Sequence, residues 1–171
     1  MFQPLQSATS RLSKSETYQE VTRDILAVLD GEPDRIARMA TCVSLLSQAF
    51  PAWFWTGFYS VDSVKKSQGV DELVVGVYQG TLGCLRIAFG RGVCGAAAAT
   101  KTTQIVPDVH AFPGHIACDS RSNSEIVVPV MDAAGELIAV FDVDSEQFAT
   151  FDEEDAVHLE KLMAAVFSLA V

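Results

Sequence analysis

Positive charge is scarce in this chain. Twelve lysines and arginines stand against 22 aspartates and glutamates, a formal net charge of −10. That balance disfavours nucleic acid or an anionic membrane surface as the main partner. Long apolar runs are missing too, and none approaches the length of a membrane span. The opening stretch MFQPLQSATSRL has no continuous apolar segment of the signal-peptide kind, so the expected location is cytoplasmic. The chain has four cysteines and three histidines, with no C-x-x-C pair, which disfavours a zinc finger or ribbon. In a reducing compartment four cysteines are also a poor disulfide framework. Repeats, low-complexity tracts and phosphate loops are absent. GRGVCG at 90–95 has the wrong spacing for a dinucleotide fingerprint and no βαβ unit around it.

What is present is a core. Of 171 residues 49% are apolar, enough for one folded domain over 1–171, with residues 1–12 read as a flexible N-terminal segment. Ser13 and Glu16 have capping-box spacing ahead of a helix whose apolar positions are Tyr18, Val21, Ile25, Val28 and Leu29. That apolar face fits either docking on a sheet or a homodimer contact. A second helix fits 34–49, with Ile36, Met39, Val43 and Leu46 on one face and Cys42 beside it as a small apolar filler. WFWTGFYSV reads as a strand, KKSQGVD as a turn, and ELVVGVYQG and CLRIAFG as further strands. GRGVCGAAAAT reads as a short helix and TQIVP as a short strand. EIVVPVMD and ELIAVFDVDS form a hairpin through DAAG, and a last helix opens at Thr150 and Glu153. Its buried side would be Ala156, Leu159, Met163, Val166 and Phe167, with His158 exposed. This order predicts a mixed α/β (α+β) domain, its central sheet largely antiparallel with helices on both faces.

Two features carry chemistry. With a turn centred on Ala133 and Ala134, Glu125 lies opposite Asp142, and Asp144 is diagonal to it on the same face. Val127, Pro129, Ile138 and Val140 share that face, and Ile126, Val128, Phe141 and Val143 take the other. Three carboxylates at the end of a hairpin buried on both sides repel one another. One of them then takes a raised pKa, and the group favours a cation. A one-residue register slip or a bulge would scatter them instead.

The second feature is GHIACDSRSNSE, in an irregular segment from 108 to 123 that is long for a compact domain. Cys118 there has His115 and Arg121 within three residues. Neighbouring positive charge lowers a thiol pKa, so Cys118 is the best nucleophile of the four cysteines. A second cysteine able to reach it would resolve a sulfenic acid into a disulfide. Spacing alone does not say whether Cys84 or Cys94 does so, and ordinary packing explains either.

WTGFY, GCLRIAFGRGVCGAAAAT, QIVPDVHAFPGHIACD, SEIVVPV and FDVDS, in this order along nearly the whole chain, resemble the free methionine-(R)-sulfoxide reductase family of GAF-type domains. The resemblance implies a GAF-like fold and thiol-dependent reduction of free L-methionine-(R)-sulfoxide. In that scheme Cys118 is the nucleophile, Cys84 the usual resolving partner and Cys94 a third redox cysteine. Glu125, Asp142 and Asp144 bind and polarise the amino acid, and Trp55 and Tyr59 line the pocket for its side chain. For the aromatic pair, plain strand core fits the sequence equally well. The resemblance also implies no bound cofactor and no metal, with thioredoxin as the external reductant. The alternative is a non-catalytic GAF sensor of a small ligand or of redox state. A zinc site built from Cys84, Cys94, Cys118 and a loop histidine is disfavoured by its wide spacings.

Overall fold

A computed structural model describes residues 12–116 and 118–168. The segment expected to be a flexible N-terminus lies almost wholly outside these residues. The chain runs α1 (Lys14–Val28), α2 (Arg35–Ala49), β1 (Trp53–Val61), α3 (Ser63–Ser67), β2 (Glu72–Gln79), β3 (Arg86–Ala88), α4 (Gly92–Thr100) and β4 (Gln104–Val106). A single 3-10 turn (Val109–Ala111), β5 (Ser124–Met131), β6 (Leu137–Ser145) and α5 (Glu153–Phe167) complete it. The six strands form one antiparallel sheet in the order β3-β2-β1-β6-β5-β4, as the fold reading requires.

Alternation along the three central strands decides what each face does. Phe58, Ile126, Val128, Phe141 and Val143 point to one side, where α1, α2 and α5 cover them. Trp55, Tyr59, Val127 and Val140 point to the other, where α4 packs. Phe54 is an extra residue in β1, since Trp53 pairs with Ser145 and Trp55 with Asp144. That bulge turns Trp53 toward the helical core, where it stacks on Phe50.

The capping box at Ser13 forms as expected: its hydroxyl accepts from the Glu16 amide, and Glu16 accepts from the Ser13 amide. α1 docks on its own chain. The buried Tyr18 hydroxyl donates to Asp155 at 2.8 Å, and Lys14 pairs with Asp155 at 2.7 Å. Several expectations need correction. The α5 capping box sits at Asp152 and Asp155, not at Thr150 and Glu153. Acidic side chains crowd that turn, and Asp152 accepts from two first-turn amides. Val28 and Ile36 lie outside the buried stripe, exposed on their helices. His158 is half-buried, stacked 4.6 Å from the Tyr18 ring. The expected turn at KKSQGVD starts inside α3, whose last three residues are Lys65, Lys66 and Ser67 and which is capped by Asp62. Cys42 is fully buried in the helical core, as a filler should be.

Candidate active site

The site forms on the α4 side of the sheet. Glu125 pairs with Asp144, and Asp142 pairs with Val127. The hairpin is therefore shifted by two residues from the expected pairing of Glu125 with Asp142. Two one-residue steps make the shift: at the turn Met131 pairs with Leu137 rather than Glu136, and a bulge then leaves Ile138 extra before Val130 pairs with Ala139. Side chains alternate with period two, so a two-residue shift keeps Glu125, Asp142 and Asp144 on one face. Only Ile138 changes side, and it packs with the helical core.

β1 brings the aromatic residues beside the acids. Trp55 pairs with Asp144, Gly57 with Asp142 and Tyr59 with Val140. Gly57 is required by its neighbours: a Cβ there would sit 2.4 Å from the Tyr78 Cβ and 2.7 Å from the Trp55 ring. Without that atom the indole folds across position 57 and stacks between Tyr59 (5.6 Å) and Tyr78 (5.3 Å). Gly83 does the same for the incoming loop, since its Cβ would lie 2.8 Å from the Tyr59 hydroxyl. That close approach sets Cys84 against the aromatic floor.

Cys84 and Cys118 form a disulfide, with Cα atoms 5.2 Å apart across 34 residues of sequence. Cys118 is exposed and Cys84 half-buried. Cys94 sits in the first turn of α4 as a buried free thiol, its Sγ 3.9 Å from Glu125 Oε1. A pocket of about 520 Å³, counted out to its open mouth, is lined by Cys94, Cys118, Glu125, Asp142 and Asp144. Trp55 and Tyr59 form part of the same wall, and Arg91 and His115 reach its rim.

The electrostatics follow from burial. Glu125 and Asp142 are 6% and 5% exposed. Desolvation, then repulsion by neighbouring carboxylates, pushes both well above the ordinary carboxylate range. Desolvation raises Asp144 to about 6, although a short hydrogen bond from the Ser122 hydroxyl opposes the shift. Burial, followed by the charges of Asp142, Glu125 and Asp144, drives the Cys94 thiol up as well, so it stays protonated at neutral pH. Asp142 Oδ1 is buried with no hydrogen-bond partner among the described residues. A buried carboxylate oxygen left unpaired is destabilising, and a cationic ligand group would satisfy it.

The positive charge expected near Cys118 is not free. Arg121 is paired with Asp119 at 3.0 Å and Glu146 at 3.1 Å. Burial and the neighbouring His110 lower the His115 pKa, which keeps its ring neutral. The zinc arrangement weighed above also loses two ligands, because Cys84 and Cys118 are bonded to each other. Among the described residues, the atoms best placed to converge on a cation are Cys94 Sγ and oxygens of Glu125 and Asp142, all within 4.8 Å of one another. Sequence reasoning missed Ser122, Asp119 and Tyr78. Ser122 had one usable signal, its place two residues before the strand that carries the first acid.

An antiparallel sheet with one helix-covered face and one pocketed face, closed by an irregular loop, is the architecture of a small-molecule-binding domain. Residues 15–171 match the GAF domain family. The chain is 41% identical to the free methionine-R-sulfoxide reductase of Escherichia coli, covering 90% of this chain and 88% of that protein. It is 44% identical to GAF domain-containing protein A of Dictyostelium discoideum, over 90% and 92% of the two chains. The solved structure of free methionine-R-sulfoxide reductase from Neisseria meningitidis in complex with its substrate superposes with a TM-score of 0.86 at 46% identity, over 97% of this chain and 93% of that one. The chain thus belongs to the GAF family and, within it, to the free methionine-R-sulfoxide reductases, a group of oxidoreductases.

Proposed function

We propose that this protein reduces free L-methionine-(R)-sulfoxide to methionine, with Cys118 as nucleophile and Cys84 as resolving thiol. The observation that carries this reading is a single pocket lined by both Cys118 and three acids, one of which holds an unpaired buried oxygen. In the reduced protein the Cys118 thiolate attacks the sulfoxide sulfur. A neutral carboxylic acid of the Glu125–Asp142 pair protonates the sulfoxide oxygen as the S–S bond forms. Collapse transfers that oxygen to Cys118 as a sulfenic acid and releases methionine. The Cys84 thiol then attacks Cys118, water leaves and the disulfide closes. A dithiol reductant of the thioredoxin type returns two electrons and two protons.

Because Arg121 and His115 lend little free positive charge, the acid carries most of the activation by making the sulfur electrophilic. Cys94 stays protonated and lies buried against Glu125, while Cys84 is the thiol within bonding reach of Cys118, which makes any Cys94 disulfide a secondary route. The ionised share of the trio binds the substrate ammonium. Inside a peptide that ammonium becomes a neutral amide, which cannot offset desolvation of the carboxylates. The stacked Trp55 and Tyr59 pack on the thioether and methyl group. The cycle calls for no bound cofactor or metal. No described helix is long and apolar enough to cross a membrane, and a cytoplasmic location suits a thiol cycle fed by thioredoxin. Pairing of two copies through α1 would use Leu26 and Val28, apolar residues that docking of the helix leaves exposed.

The test is an assay of the free R epimer, the free S epimer and a peptide-bound sulfoxide with a thioredoxin system. Turnover is expected with the free R form alone, with one disulfide made per methionine, and none in Cys118→Ser. Equal turnover of the peptide form would refute the ammonium argument. Full activity of Cys118→Ser would refute the nucleophile.

A further inference from the structure

The two cysteine loops are joined by more than their disulfide. Thr81, three residues before Cys84, donates its hydroxyl to Asp119 Oδ2 at 2.6 Å, and Asp119 directly follows Cys118. Arg121 grips the same carboxylate, through Nη2 to Oδ2 at 3.0 Å and Nε to Oδ1 at 3.2 Å. Its backbone amide also donates to Oδ1 at 2.9 Å, and its Nη2 reaches the Thr81 hydroxyl at 3.3 Å. Each loop is then moored to the sheet. The Trp55 indole donates to the Thr81 carbonyl at 3.0 Å. The Arg121 guanidinium lies 4.9 Å over the Phe54 ring and bonds Glu146, just past the end of β6, at 3.1 Å. Arg121 and Thr81 hold the Asp119 carboxyl far below the usual range, so the latch is ionised throughout the working pH range.

We propose that Asp119, Thr81 and Arg121 are positioning residues that keep the Cys84 thiol beside Cys118 when the disulfide is open. The inference rests on the proposed redox cycle, in which Cys118 must swing between substrate and Cys84. A loop with no other tie would wander after reduction, and the sulfenic acid would wait for its partner. The latch fixes Asp119, one residue from the reacting sulfur, and leaves the Cys118 side chain to move. It therefore raises the effective concentration of one thiol at the other, as any tether does for an intramolecular step. The step balances without a further reagent: Cys118–SOH and Cys84–SH give the disulfide and one water.

The experiment uses the whole chain and two readouts. The first is the equilibrium constant for the Cys84–Cys118 disulfide in a dithiothreitol redox buffer. It requires no sulfoxide, so it stands or falls apart from the proposed activity. The second is the yield of dimedone-trapped Cys118 sulfenic acid after one turnover. Asp119→Asn is expected to lower the equilibrium constant about tenfold, equivalent to ~1.4 kcal/mol, and to raise the trapped fraction. Thr81→Val, an isosteric change at an exposed position, should act in the same direction, and Thr81→Ser should restore the wild-type value. Equilibrium constants within about twofold of wild type for both Asp119→Asn and Thr81→Val would overturn the proposal. So would a Thr81→Ser protein as defective as Thr81→Val. Melting curves of the reduced variants, expected to match wild type, separate loss of positioning from loss of fold.

Discussion

The two faces of the central sheet are made from the same strands and behave in opposite ways. On the helical face, β1, β5 and β6 contribute Phe58, Ile126, Val128, Phe141 and Val143, all sealed under α1, α2 and α5. On the other face the same strands contribute Trp55, Tyr59, Glu125, Asp142 and Asp144, covered only by the short α4 and by loops. One face is chosen for packing. The other keeps buried charge that packing alone would remove. Buried like charges destabilise a fold, so their presence on this face fits the substrate site proposed for it. The helical face supplies the stability that lets the pocketed face remain poorly satisfied.

Three substitutions sharpen that contrast. Phe141 is fully buried, its ring tilted against Phe58 with centroids 4.9 Å apart. Phe141→Ala should destabilise the protein by about 3–5 kcal/mol, read by urea unfolding of the reduced form. A loss below ~1 kcal/mol would mean that the helical face is not the main support. The next test lies across the sheet. Asp142→Asn removes a buried carboxyl that is costly to ionise beside Glu125 and Asp144, so it should stabilise the fold by roughly 1 kcal/mol while lowering kcat/KM by about a hundredfold. Loss of stability together with activity would show that Asp142 supports the fold rather than the ligand.

The smallest effect is a pH dependence. Asp144 is raised from 3.8 to about 6. Between those values the folded state holds a proton that the unfolded chain has released. Stability attributable to Asp144 therefore falls as pH rises from about 4 to 6, and is flat above and below that window. Asp144→Asn should remove this slope, a change seen by comparing unfolding midpoints of the two proteins across the window. A slope of opposite sign would place Asp144 among stabilising partners instead.

Much of this was legible beforehand because local patterns report local structure. The capping box at Ser13 and Glu16 formed as spelled. The α5 box slid by two residues because several acidic side chains there compete for the same amides. Alternation along SEIVVPV and FDVDS placed the three acids on one face despite a bulge at Ile138 that moved their pairing. Period two forgives any even shift, so the cluster survived an incorrect register. The electrostatics of the loop were harder to read. His115 and Arg121 look like activating cations in the sequence, yet one is neutralised by burial and the other by Asp119 and Glu146. A charge's effect depends on where its partners end up, and Glu146 lies 25 residues away.

The sequence by itself determined the order of the elements, the two-faced strands and the choice of Cys118 as the thiol set in polar company, since each is written in residues a few positions apart. Only the tertiary structure decided that Cys84 meets Cys118, that Cys94 lies buried against Glu125, and that Thr81 holds Asp119. Those contacts join residues 31 to 38 positions apart. Nothing in the intervening chain encodes such a distance. It follows from how the sheet closes and from the space left by Gly57 and Gly83, where one added carbon would push the aromatic floor and the cysteine loop apart.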